Sequence, residues 1–154
     1  MIFREKLDKL LGKILIVIMS LMVINVLWQV FTRFVVGTPS SFTDELARYL
    51  MIWVGVLGAA YVAGKNEHVS IDVFANKLSA SKQKKLSNFV GVIIILFAIS
   101  ALVIGGFRLV YISYILGQHS SALQIPLAYV YLVIPISGIL VIYYKISDIL
   151  NRVA

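Results

Sequence analysis

The sequence predicts an all-α integral membrane protein of four transmembrane helices with both termini in the cytoplasm. Three observations predict it. Of 154 residues, 60% are hydrophobic and only 14% are charged, which is more apolar surface than a soluble domain of this size can hide. Several apolar runs reach the ~20 residues that cross a hydrocarbon core of about 30 Å. The runs are continuous rather than alternating, which means helices and not barrel strands. The chain reads as a single four-helix membrane domain over residues 1–154.

The first span runs from about residue 14 to 36. Arg4, Lys6, Lys9 and Lys13 precede it. A basic start followed by an apolar run is also the pattern of a secretory signal. This run is too long for one, and no small-residue cleavage motif follows, so the span is expected to stay. The second runs from about 45 to 64 and opens on "TDELARYL". The third runs from about 86 to 116. A continuous helix of that length measures about 45 Å at 1.5 Å per residue, so it must tilt, protrude or break. Gly105-Gly106 offers a flexible point. Arg108 either snorkels to the interface or points at a protein partner. The fourth runs from about 127 to 146, with Pro135 as a single kink.

Basic residues set the orientation. They cluster before span one, between spans two and three (Lys65, Lys77, Lys82, Lys84, Lys85) and at the end (Lys145, Arg152), while 117–125 has none. The positive-inside rule then places the termini and the middle loop in the cytoplasm. In that loop Ile71, Phe74 and Leu78 recur at helical spacing. The pattern suits a short amphipathic helix at the interface, with the lysines toward anionic headgroups; a plain loop is the alternative. The net charge of +7, distributed this way, points to membrane lipid and not to nucleic acid.

Catalysis finds no support. There is no cysteine, and the two histidines, His68 and His119, fall on opposite membrane faces, so they cannot share a metal or a haem. No metalloprotease, nucleophile-elbow or phosphate-loop motif is present. No cofactor is expected. Transport by this chain alone is also disfavoured, because no Asp, Glu or Lys lies near a span centre. The chain reads as a membrane subunit that works with a larger partner.

Two groups of residues bear on that partner. In span two Gly55, Ala59 and Ala63 recur every four residues, so backbones can approach closely, either within the bundle or against another subunit. Trp53 and Trp28 lie deeper than interfacial residues need. At the mouth of span two, Asp44 and Glu45 precede Arg48 by four and three residues, the favourable order on a helix. Ser41 or Thr43 can cap that helix. A capped helix start explains the acids; an Arg one turn inward fits a docking site better.

Taken in order, "FTRF" at the end of span one and then "SSFTDELARYLMIWVGVLGAAYVAGKNEHVSIDVF" resemble the small, Q-type (DctQ-like) membrane subunit of tripartite ATP-independent periplasmic (TRAP) transporters. The matching positions are Asp44, Glu45, Ala47, Arg48, Gly58, Ala59, Ala60, His68 and Asp72. Family members often carry Trp before the acidic pair, where this chain has Phe42-Thr43. The resemblance implies a fixed scaffold in the bacterial inner membrane. A large M-type subunit would hold the substrate and Na⁺ sites and move as an elevator. A periplasmic substrate-binding protein would deliver a carboxylate such as sialic acid or a C4-dicarboxylate, with the small subunit contributing to its docking. His68 and Asp72, four residues apart, would fix the turn after span two. The runner-up is an anchor subunit of another complex, such as a respiratory one. A small self-contained multidrug carrier is disfavoured by the missing membrane-embedded acid.

Overall fold

A computed structural model describes residues 2–38, 40–65 and 80–153. His68, Asp72 and the expected interfacial stripe Ile71, Phe74 and Leu78 lie outside the described residues. Four helical spans, Arg4–Val36, Ser41–Gly64, Leu86–Ile115 and Leu127–Leu150, are long and apolar enough to cross a membrane. Among the described residues no strand forms; the one β feature is an isolated bridge between His119 and Pro126.

α1 (Ile2–Phe31) begins within the basic segment and continues through a π-helical stretch, Thr32–Val36. The lysines expected to precede the span are thus part of its helix. Gly37 ends it with φ of +77°, a left-handed backbone that glycine adopts without a Cβ clash. Leu11, Ile18, Asn25 and Thr32 are buried. They recur every seven residues, the repeat of a narrow two-helix seam. α1 packs on α2 (Ser41–Gly64) along that seam, and most of its remaining surface is open.

Span three is α3 (Ala80–Phe97), a π-helical stretch (Ala98–Gly105) and α4 (Gly106–Ile115) in direct succession. At Gly105-Gly106, where flexibility was expected, the helix continues, and the two glycines differ. Gly106 is buried, and a Cβ there would stand 2.9 Å from Pro135 Cδ and 3.0 Å from Ile134. The glycine is there for close approach. Gly138 does the same in reverse, since its Cβ would meet Leu102 Cβ at 2.7 Å. Such contacts let two backbones lie closer than side chains normally allow.

Span four divides into α5 (Leu127–Tyr131) and α6 (Val133–Val153), with a turn at Leu132. Pro135 has no N–H to offer the carbonyl four residues back, and its ring crowds that turn. The irregularity therefore falls just before the proline. In space the order is α1, α2, α6, then span three. α6 is flanked on both sides, which buries Val133, Ser137 and Tyr144. One core joins Leu11, Ile18, Leu57, Val133 and Tyr144; a second joins Ala60, Ala63, Ala98 and Val141.

Candidate functional site

The bundle has two polar ends. One, here the loop end, holds the start of α2 and the connection 116–126. The other, the terminal end, holds the start of α1 and the end of α6.

At the loop end Asp44 and Glu45 have different partners. Asp44 Oδ2 accepts from Arg48 Nη2 at 3.1 Å, and Asp44 Oδ1 accepts from Gln29 Nε2 at 3.1 Å. Both charged side chains of the pair are exposed. Glu45 turns the other way. Its carboxylate accepts the Ser120 hydroxyl, together with the backbone N–H groups of Ser121 at 3.0 Å, Ala122 at 2.9 Å and Leu123 at 3.1 Å. The local pairing of both acids with Arg48 thus holds for Asp44 alone.

The loop is shaped for this. Gly117 and Gln124 take positive φ, +59° and +55°. Ser120 N–H donates to Ile125 at 2.9 Å, and Leu127 N–H donates to Gln118 at 2.9 Å. The closed turn between them aims consecutive N–H groups at one point, an anion nest made of backbone. Glu45, one turn into α2, supplies the anion.

Capping also differs from expectation. Ser41 and Thr43 lie inside α2; Ser40 is the flanking residue, with extended backbone and no side-chain cap bond. Thr43 Oγ1 donates to the Ser40 carbonyl at 2.9 Å. The Thr43 carbonyl accepts the buried Asn25 amide at 2.7 Å, which ties α1 to α2. Trp53 is half-buried and donates its indole N–H to the Val130 carbonyl at 3.1 Å. Its inset position is thereby explained: it joins α2 to α5. Between the end of the first span, the start of α2 and the 116–126 connection is an open polar pocket of about 510 Å³, whose lining includes Gln29, Arg33, Asp44, Arg48 and Ser121.

The small residues of α2 do not form one packed face. Ala60, Ala63 and Gly64 are buried, and a Cβ on Gly64 would meet the Tyr144 ring at 2.8 Å. Gly55 and Ala59 face outward, and nothing lies within 4 Å of a Cβ at Gly55 or Gly58. Trp28 is exposed, against Phe31. Arg108 is exposed and has no ion pair among the described residues.

The terminal end holds a network that sequence reasoning missed. Arg4 donates to Asp148 Oδ1 at 2.6 Å and to the Gly64 carbonyl. Lys145 Nζ lies 3.7 Å from Asp148 Oδ2. The Tyr144 hydroxyl donates to Asp8 Oδ1 at 2.5 Å, and the Arg4 guanidinium stands over the Tyr144 ring. Three helices are cross-linked here. The available signals were the i,i+4 pair Arg4/Asp8 and the i,i+3 pair Lys145/Asp148. Ser120 left no comparable signal: one serine in a charge-free loop does not reveal its partner.

The chain is similar in sequence to known proteins over most of its length. Residues 22–154 match the family described as tripartite ATP-independent periplasmic transporters, DctQ component. A TRAP transporter small permease protein of Haemophilus influenzae is 41% identical over 71 residues, 46% of this chain and 44% of that protein. The sialic acid TRAP transporter small permease protein SiaQ of Vibrio cholerae is 28% identical over 130 residues, 80% of this chain and 70% of that protein. The sialic acid TRAP transporter permease protein SiaT of Haemophilus influenzae is 33% identical over 66 residues, 43% of this chain but 11% of that protein. The family match, covering most of the chain, decides against a respiratory anchor. This chain belongs to the DctQ family of tripartite ATP-independent periplasmic transporters: it is a multi-pass inner-membrane small subunit, a transport component and not an enzyme.

Proposed function

We propose that the chain is the stationary small subunit of a Na⁺-coupled TRAP transporter for carboxylates, of the sialic acid or C4-dicarboxylate class. It flanks a large M-type subunit that contains the transport site. Its loop end faces the periplasm and helps to dock a substrate-binding protein, while its lysine-rich terminal end lies in the cytoplasm. One observation carries the reading. The described acidic side chains gather toward the two ends of the bundle, where Asp148 and Glu45 join helices and loop. A carrier of ions or carboxylates needs a polar group along its path; a wall needs fixed ends and packed middles. Two relatives named for sialic acid support the substrate class.

The test is reconstitution in liposomes with an inward Na⁺ gradient. Uptake of a labelled carboxylate is expected only when this chain, the large subunit and the binding protein are all present. Uptake by this chain alone, or undiminished uptake in its absence, overturns the reading.

A further inference from the structure

We propose that the open face of α1 near its amino terminus binds an anionic phospholipid, with the phosphodiester held by Lys6, Lys9 and Lys13. Spacings of three and four residues stack these lysines on one helix face. All three are exposed. Their face is the one turned away from the buried seam of Leu11 and Ile18. The acids of α1 leave them free. Asp8 lies toward the seam and accepts the Tyr144 hydroxyl. Glu5 is exposed one turn before Lys9, and no ion pair joins the two.

The same face is apolar further along. About 18 residues make five full turns, so Ile24, Leu27 and Phe31 stand directly in line with Lys6, Lys9 and Lys13. With Trp28 they line an apolar groove of about 380 Å³ in the far half of the span, beyond the leaflet next to the lysines. In between lie exposed Ile16 and Val17. Ser20 interrupts them, but its hydroxyl donates to the Ile16 carbonyl at 2.8 Å and so is satisfied within the helix. From Lys13 to Ile24 the helix rises about 16 Å, close to the ~15 Å depth of one leaflet. The lane is cationic for two turns and then apolar for a leaflet's depth. An anionic phospholipid has the same distribution, headgroup first and chains after.

Charge complementarity favours lipid over a protein on this face. A protein covering three ammoniums would have to bury matching carboxylates beside them, with a heavy desolvation cost for each. A headgroup stays wet at the interface, and lysine's long stem reaches it while the apolar part rests on the chains. The site depends only on α1, and so is independent of the transport role and of which way the chain faces.

The experiment uses the assembled transporter in vesicles carrying trace spin-labelled phosphatidylglycerol or phosphatidylcholine, and reads the ratio in which they associate with the protein. The complex with this chain intact is expected to prefer phosphatidylglycerol. Lys6→Gln/Lys9→Gln/Lys13→Gln is expected to lower the preference, by up to about fivefold per lysine at low salt. The corresponding triple Arg variant keeps the preference. Should the triple Gln variant fail to assemble, Lys9→Gln alone is expected to lose about fivefold. A preference unchanged by these Gln substitutions overturns the site. So does a Gln variant that loses the large subunit from a complex that never preferred phosphatidylglycerol, since the face is then a protein interface.

Discussion

A methyl group at Gly64 is expected to destabilise the bundle, and the structure sets how much. The Cβ of Gly64→Ala would stand 2.8 Å from two carbons of the Tyr144 ring. Carbon atoms prefer 3.5–4.0 Å, so the overlap is about 0.7 Å or more. The ring cannot retreat. Tyr144 is fully buried, its hydroxyl is held by Asp8 at 2.5 Å, and Arg4 covers its face. Moving α2 instead would pull the Gly64 carbonyl away from Arg4. A site without slack belongs at the upper end of the overpacking range, about 2–3 kcal/mol. Gly64 is the last residue of α2, so little helix propensity is gained in return. At about 2–4 °C per kcal/mol for a chain of this size, the midpoint should fall by about 4–12 °C. The assay heats the chain in mild detergent and follows the surviving folded fraction by size exclusion. Gly55→Ala and Gly58→Ala are the controls, because nothing lies within 4 Å of either new Cβ; both are interior to α2, so each should leave stability unchanged or raise it by up to about 1 kcal/mol. An unchanged midpoint for Gly64→Ala, or an equal loss in the controls, would refute the reasoning.

Glu45→Gln keeps the shape of the side chain but turns two acceptors into one, and it places an amide donor against the loop N–H groups; amide exchange at Ser121, Ala122 and Leu123 should speed up, and uptake should fall at normal subunit levels. Unchanged exchange would show that the loop holds itself. Trp53→Phe removes the bond to the Val130 carbonyl and should cost about 1 kcal/mol, read as a lower midpoint by the same heating assay. Asp44→Ala and Arg48→Ala break an exposed i,i+4 pair and should each change stability by no more than about 0.5 kcal/mol. A loss of uptake in either variant then reports a contact with another component, and normal uptake in both leaves the pair as decoration of a helix start.

The spans were legible because hydrocarbon imposes length and composition on whatever crosses it. What was not legible follows from long-range pairing. Arg4 and Asp148 lie at opposite ends of the chain, and no local pattern joins them. Glu45 has Arg48 three residues away, so a local reading pairs them; the backbone of Ser121, Ala122 and Leu123, far along the chain, is the better set of donors. Backbone donors are invisible to a reading based on side chains. The packing role of Gly106 was hidden for a related reason. A glycine beside a glycine looks like a hinge until the neighbour is known, and here the neighbour is Pro135 at contact distance. The stripe Gly55, Ala59 and Ala63 gave the spacing of a packed face but not its direction, and the first two face outward while Ala63 is buried.

Two acids in succession at the mouth of α2 are explained by helix geometry. Neighbouring helical residues point about 100° apart, so Asp44 and Glu45 cannot serve one partner. Glu45 faces the 120–123 turn and is consumed there by four donors. Asp44 faces Gln29 and the polar pocket, where it neutralises Arg48 while both remain exposed. Glu45 fixes the loop, and Asp44 just before it decorates the surface that the fixed loop borders. Exchanging these duties would require rotating α2 by more than a quarter turn, which would carry Thr43 off Asn25 and Trp53 off Val130. The rotation of α2 is therefore set from three directions at once, by α1, by the loop and by α5. A charged pair mounted on such a helix is displayed at a fixed angle, which the proposed docking role needs and a helix cap alone does not.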